Sequence, residues 1–246
     1  MLLLVTDTSG KHGFVGLVRA AGDAERTVKI EVIEEVPLAG GTFSAQLIPQ
    51  IAGLLEKHRL RKTDIDAFIV VAGPGSFTGL RVGLAAIKAL AEILRKPIVP
   101  VSLLEVMARS VVWAAGSDGT TVPFAVALDA GRNEVFVGQY EQVFLGKRLG
   151  SLQCRSESLI PLTQLASLLD NNANHWISTP DASVADFLKQ QLGPADLSIQ
   201  LEDRPHSAEI TTVGYKKVRE GQTVTPEQLD ANYIRRSDAE IFAKPT

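Results

Sequence analysis

The apolar and polar positions along this chain alternate between two periods, one of strands and one of helices. Leu2 to Thr6 is an unbroken apolar run, which predicts a buried first strand. A polar turn follows at Asp7 to Gly13, then strands over Phe14 to Arg19 and Thr27 to Glu34, with Gly22–Asp23 reversing the chain between them. Gly40–Gly41 closes this meander. Thr42 or Ser44 then caps a helix to about His58, whose apolar stripe is Leu47, Ile51, Leu54 and Leu55. Ile65 to Ala72 reads as a strand that runs into GPGSFTGLRVG at 73–83. A long helix over Leu80 to Leu94 is stopped by Lys96–Pro97. A short strand spans Ile98 to Val101, and Ser102 caps a helix over Leu103 to Ala114.

After a polar boundary at Gly116 to Thr121 the same grammar returns. Strands are expected over Val122 to Leu128, Glu134 to Glu141 and Gln142 to Leu152. A helix over Leu162 to Leu169, a strand over His175 to Ser178 and a helix over Ala182 to Gln191 follow, the last ended by Gly193–Pro194. Ala208 to Glu220 reads as a final helix, and PEQLDANYIRRSDAE at 226–240 as a polar tail lying over the surface. The repeated β-meander followed by helices and strands predicts two related α/β lobes. They are expected at 1–102 and 103–225, with the last helix free to return to the first lobe and a tail at 226–246. A strand–turn–strand start excludes a Rossmann unit, which needs a helix after its first glycine-rich turn.

Composition narrows the partners. The chain has 246 residues, 45% hydrophobic and 22% charged, enough for a sizeable core and too apolar for a disordered chain. Twenty-five Lys and Arg against 28 Asp and Glu leave a net charge of −3, which argues against a broad nucleic-acid footprint on this chain alone. The single cysteine, Cys154, excludes an internal disulfide and a cysteine-rich metal site. The apolar opening reaches Asp7 too soon for a signal peptide, and no apolar run reaches the ~18 residues of a membrane span. A cytoplasmic protein without membrane contact is expected.

Three stretches could carry chemistry. Asp7-Thr8-Ser9-Gly10-Lys11 follows the first strand: a carboxylate for a metal-bound water, with hydroxyls and amides for phosphate, or simply a polar turn. Gly73 to Arg81 joins a strand to a helix and could offer helix-terminal amides to an anion, but the Lys-Ser/Thr pair of a P-loop is missing. Gly79, Gly83 and Ala86 make a smooth helix face suited to close packing or partner contact. Asp129 ends a strand in the second half and could join Asp7 across a cleft in metal-assisted phosphate chemistry, or cap its own turn. The four histidines, His12, His58, His175 and His206, form no metal-binding spacing, and Ser76 is not in G-x-S-x-G. Arg235 and Arg236, with Lys216, Lys217 and Arg219 upstream, form a small basic patch open to an acidic partner, to RNA or to solvent.

GPGSFTGLRVG, with LLLVTDTS, ALDAGRNEVFVG at 127–138 and ANYIRR at 231–236, resembles the bacterial TsaB (YeaZ) family over nearly the whole chain. That resemblance implies the two-lobed actin-like, sugar-kinase-like ATPase fold, each lobe ribonuclease-H-like with a mixed sheet and flanking helices. It implies a non-catalytic subunit with no catalytic residue and no metal of its own. Its partner would be a TsaD-like enzyme that transfers threonylcarbamoyl to N6 of adenine at position 37 of tRNA. A TsaE-like ATPase completes the system, tRNA is met only in the complex, and the chain forms a homodimer when the partner is absent. The histidine pair of the catalytic relative has no match within Gly41 to His58, which also speaks against an M22-type metallopeptidase. Asp7, Thr8 and Ser9 match the superfamily's first phosphate loop, while Lys11-His12-Gly13 replaces its usual small, hydroxyl-rich continuation; the vestigial phosphate site expected is Asp7, Thr8, Ser9, Lys11 and Asp129. No cofactor is required, though ATP or ADP with magnesium could bind there, and an ATPase or phosphotransferase using Asp7 and Asp129 is the alternative function. The partner interface is expected on Leu47, Ile51, Gly75, Phe77, Gly79, Leu80, Gly83, Ala86 and Ile87.

Overall fold

The computed structural model describes residues 1–23, 27–113, 119–146, 148–171, 176–192 and 198–234. Arg235 and Arg236, the boundary at 116–118, His175 and the helix stop at Gly193–Pro194 lie outside them. The chain divides into two compact units, residues 1–103 with 205–246 and residues 104–204.

In the first unit β1 (Leu2–Asp7), β2 (His12–Asp23) and β3 (Thr27–Ala39) form an antiparallel meander. The strands β4 (Ala67–Gly73) and β5 (Ile98–Ser102) join β1 in parallel, giving the order β3-β2-β1-β4-β5. Every residue of β1 and β4 is buried, as central strands covered on both faces require. The helices α1 (Phe43–Lys57) and α2 (Phe77–Leu94) cover one face: Leu47, Ile51, Leu54, Leu84 and Ile87 pack with Leu4, Val15, Leu17, Phe68 and Val70. Ser76 caps α2 by accepting from the Gly79 amide, so this helix begins three residues before the expected Leu80. Arg95 ends it in the left-handed conformation at φ 53.

Helix α6 (Ser207–Arg219) returns to this unit and covers the other face through Ile210, Val213 and Tyr215. Gly214 lies so close to Ile69 that a side chain there would overlap it. The chain then bridges to the outer edge of β5 through Val224 and Ile98. It buries Leu229 in the α1–α2 core and donates from the Asn232 amide to the Ala72 carbonyl at 2.8 Å. Residues 223–233 are thus a strap anchored in the core, and not only the surface tail that its polarity suggests.

The second unit repeats the plan. The strands β6 (Thr121–Gly131), β7 (Glu134–Leu145) and β8 (Arg148–Pro161) form the meander, and β9 (Trp176–Thr179) and β10 (Ser198–Leu201) add in parallel. The order β10-β9-β6-β7-β8 is that of the first sheet read from the other edge. The third strand begins at Arg148 and not at Gln142, because β7 continues to Leu145 and the chain turns at Gly146, φ 63. The strand β10 is an element that periodicity had not marked. Helices α4 (Leu162–Asn171) and α5 (Ala182–Gln191) cover one face with Leu165, Leu169, Val184 and Leu188, against Ala125, Ala127, Val135 and Val137. The alternate strand positions Phe124 and Tyr140 meet aromatic neighbours: Trp113 packs edge-on to Phe124, 4.9 Å between centroids, and also touches Phe144 and Trp176. The helix α3 (Leu103–Ser110) spans the chain's passage between units.

Candidate functional site

Asp7, Thr8 and Ser9 stand where β1 ends, and all three are buried, at 1–2% exposure. The Asp7 Oδ1 accepts from the Ser9 amide at 2.7 Å and from the Ser9 hydroxyl at 2.5 Å. Thr8 Oγ1 donates to the Gly79 carbonyl at 2.8 Å, and the Ser76 amide donates to the Ser9 carbonyl at 2.7 Å. The turn after β1 is therefore bonded to the GPGSFTG loop and the start of α2. The three glycines of that loop and helix are the reason the two can meet. A Cβ at Gly75 would overlap Ser9, one at Gly79 would overlap the Thr8 carbonyl, and one at Gly83 would overlap the Thr8 side chain. Lys11 is exposed beyond the turn.

Asp129 sits at the corresponding strand end in the second unit and uses the same local geometry: its Oδ1 accepts from the Gly131 amide at 2.7 Å. It is exposed, and its own amide donates to Asp181 Oδ2 at 2.7 Å. Asp7 and Asp129 thus each hold a turn in their own unit. The hydroxyls expected to cradle phosphate make hydrogen bonds inside the first unit. Among the described residues no group of three or more His, Cys, Asp or Glu side chains is placed to hold a metal ion.

The residues expected at a partner interface divide by burial. Leu47, Ile51, Leu80, Gly83 and Ile87 are buried in the first unit, as is Gly79. The smooth face of Gly79 and Gly83 receives Thr8 and not another molecule. Gly75, Phe77 and Ala86 are half-buried. The exposed apolar positions of the pair are the ridges Ala45, Ile48 and Ala52 on α1 and Ala85, Ala89 and Ile93 on α2, with Ile48 46% and Ile93 72% exposed. Interior and exterior apolar positions share one helix, so the 3.6-residue period finds the buried stripe first and leaves the exposed ridge unassigned.

The structure also joins two motifs that the chain separates by some 150 residues. The Asn232 carbonyl lies against Gly73, the Tyr233 ring packs on Phe77 at 5.1 Å, and Arg81 Nε donates to the Tyr233 hydroxyl at 3.2 Å. The Arg81 guanidinium lies 3.7 Å above the Phe77 ring. Tyr233 and Asn232 were not candidates by spacing; the signal was an aromatic and an aliphatic residue within an otherwise polar stretch.

Two units of five strands, each a three-stranded meander followed by two parallel strands and flanking helices, define the actin-like class of α/β proteins with ribonuclease-H-like lobes. The family model for TsaD, tRNA N6-adenosine threonylcarbamoyltransferase, matches residues 37–165, more than half of the chain. The tRNA threonylcarbamoyladenosine biosynthesis protein TsaB of Haemophilus influenzae is 25% identical over 96% of this chain and 94% of its own. That of Bacillus subtilis is 32% identical over 57% of this chain and 56% of its own. The solved YeaZ of Pseudomonas aeruginosa superimposes with a TM-score of 0.65 at 22% identity, covering 95% of this chain and all of the other. The chain belongs to the family of the TsaD model, and within it closely matches the bacterial TsaB (YeaZ) proteins, Gcp/M22-like members of the actin-like ATPase superfamily.

Proposed function

We propose that this protein is a non-catalytic subunit in the formation of N6-threonylcarbamoyladenosine on tRNA, and that it binds and activates a TsaD-like transferase. The observation that carries this reading is the near full-length likeness to proteins named for that biosynthesis. Two features support it. The described residues gather no metal-ligand cluster of the kind a metallopeptidase or metal-dependent transferase would need. The Asp7–Ser9 turn spends its hydroxyls on the protein's own loop, which favours a structural over a phosphate-transferring role.

The docking face we assign is the outward apolar pair of ridges on α1 and α2. Exposed Ile48 and Ile93 are its anchors, among small alanines that let a partner helix approach closely. The same face would serve the homodimer, so homodimer and heterodimer exclude each other. A TsaE-like ATPase would join the assembled pair. No helix among the described residues is long and apolar enough to cross a membrane.

Size exclusion with light scattering tests the assignment. The protein mixed with its cognate TsaD-like subunit should give a one-to-one species in place of the homodimer. Ile48→Glu with Ile93→Glu should abolish it while leaving the thermal transition in place. Normal binding by the double variant removes the assigned face. Separate peaks for the unaltered protein, even with a TsaE-like subunit and Mg-ATP present, remove the functional reading.

A further inference from the structure

Helix α2 presents a second exposed face, and it is charged. Arg81, Lys88 and Arg95 recur every seven residues, just under two turns, so they form one line about 21 Å long. Lys96 follows at the end of the helix. At ~100° per residue this line lies about a quarter turn from the Ala85–Ala89–Ile93 ridge, so the two faces can be occupied at once.

Each cation of the line faces the strap. Arg81 bonds Tyr233, Lys88 acts on Glu227, and Arg95 and Lys96 line a groove of about 360 Å³ with Thr223 and Thr225. Glu92 lines the same groove and Lys96 also acts on Asp64, so four cations stand with three carboxylates. Among the described residues none of these four cations forms a salt bridge, whereas Arg19, Lys57, Arg61, Arg109, Arg155 and Lys189 do. At one end of the line Tyr233, 39% exposed, turns an aromatic ring partly outward. A row of cations without salt bridges, on a chain of net charge −3, complements a linear polyanion, and a half-exposed ring at its end suits an unpaired base.

We propose that the line Arg81–Lys88–Arg95–Lys96, with Tyr233 at its end, is a contact track for the sugar–phosphate backbone of tRNA in the assembly. This rests on the functional reading above and adds to it the surface through which a non-catalytic subunit touches the substrate. The cations hold phosphates as point charges, so the track reads position and not sequence.

The test uses a fluorescent tRNA transcript carrying adenine at the modified position, titrated with the assembled complex over a range of salt concentrations. Lys88→Gln/Arg95→Gln/Lys96→Gln should weaken binding at least ~10-fold near 100 mM salt. The slope of log K against log salt should become shallower by about 2 to 3, since each lost phosphate contact removes roughly 0.7–0.9. Light scattering should show the variant complex unchanged in mass. Equal affinity and equal slope in an intact complex overturn the proposal.

A second measurement needs no substitution. Acetylation of Lys88 and Lys96 by an amine-reactive ester, read by mass spectrometry, should be suppressed by tRNA while that of Lys62 is not. Unchanged acetylation overturns the track. If the unaltered chain forms no complex with the transferase, the functional reading fails; an assembled complex that binds tRNA and leaves the acetylation of Lys88 and Lys96 unchanged fails the track alone.

Discussion

The two units share a sheet order and a detail of their first turns, and differ in what surrounds that turn. In each, the first strand ends in an aspartate whose Oδ1 accepts from the amide two residues on, at 2.7 Å in both. In the second unit this turn is exposed, and Asp181, at the start of α5, reaches it with one hydrogen bond. In the first unit it is buried, and the loop leading into α2 closes over it with Ser76, Gly79 and three glycine contacts. The difference teaches that an aspartate at a strand end does not by itself make a phosphate site. The neighbouring loop decides whether its hydroxyls face a ligand or the protein, and in the first unit they bind α2 to the sheet. A helix placed by buried hydrogen bonds presents a fixed outer surface.

Breaking that closure should have the largest effect. Gly83→Leu forces a branched side chain into the buried Thr8 side chain, whose hydroxyl is bonded to the Gly79 carbonyl and would have to be displaced. A loss of more than ~3 kcal/mol is expected, lowering the thermal midpoint by about 8–10 °C or preventing folding. A glycine change in the turn of the second unit, at the position of Ser9 in the first, is mild. Gly131, φ 68, has nothing within 4 Å of an added Cβ, so Gly131→Ala should cost only about 1 kcal/mol, for left-handed backbone. Equal losses from the two, measured by thermal or urea denaturation, would refute the contrast between the turns.

Thr8→Val sharpens the same comparison by keeping the shape and removing one donor. The Gly79 carbonyl would lose its buried partner, at a cost of about 1–3 kcal/mol. Asp129→Ala removes an exposed acceptor from the opposite turn and should cost less than about 1 kcal/mol. A Thr8→Val protein as stable as the parent would mean that the hydroxyl is not what holds α2.

Much of this arrangement was legible in the residues. Leu2 to Thr6 and Ile65 to Ala72 read as buried strands because central strands covered on both faces carry near-continuous apolar runs, and the repeated meander predicted two related lobes. The stripe of α1 appeared at its helical period, and Leu47 and Ile51 are indeed apolar contact positions, though with their own core. What spacing does not encode is which side of a glycine is empty. Gly79 and Gly83 look alike whether they receive a partner helix or Thr8, because the contact lies 71 or more residues away in the chain. Strand β10 escaped because four residues with one strong apolar alternation fall below any periodic signal. The strap escaped because one buried leucine, Leu229, anchors an otherwise polar run.

The smallest effect concerns α6, the helix that covers the second face of the first unit. Its start is fixed by one carboxylate of β3: Glu35 accepts from the Ser207 amide at 2.8 Å and contacts His206 Nδ1 at 2.8 Å. Neighbouring Glu34 pairs instead with Lys57 and His58 at the end of α1. Successive strand residues point to opposite faces, so two adjacent glutamates tie one strand to the helices on both sides. Partial burial pushes the Glu35 carboxyl up, but the hydrogen bonds from Ser207 and His206 outweigh it and hold the carboxyl below its ordinary value of 4.5. A depressed carboxylate contributes stability that is full above the unfolded value and is lost as pH falls through the folded one. Glu35→Gln should therefore cost about 1 kcal/mol at pH 7. The gap to the parent should narrow steadily between about pH 5 and pH 3, as the parent's carboxylate takes up its proton. Urea denaturation of both proteins across that range measures it, and a gap that stays constant with pH would show that the Glu35 charge does not hold α6 in place.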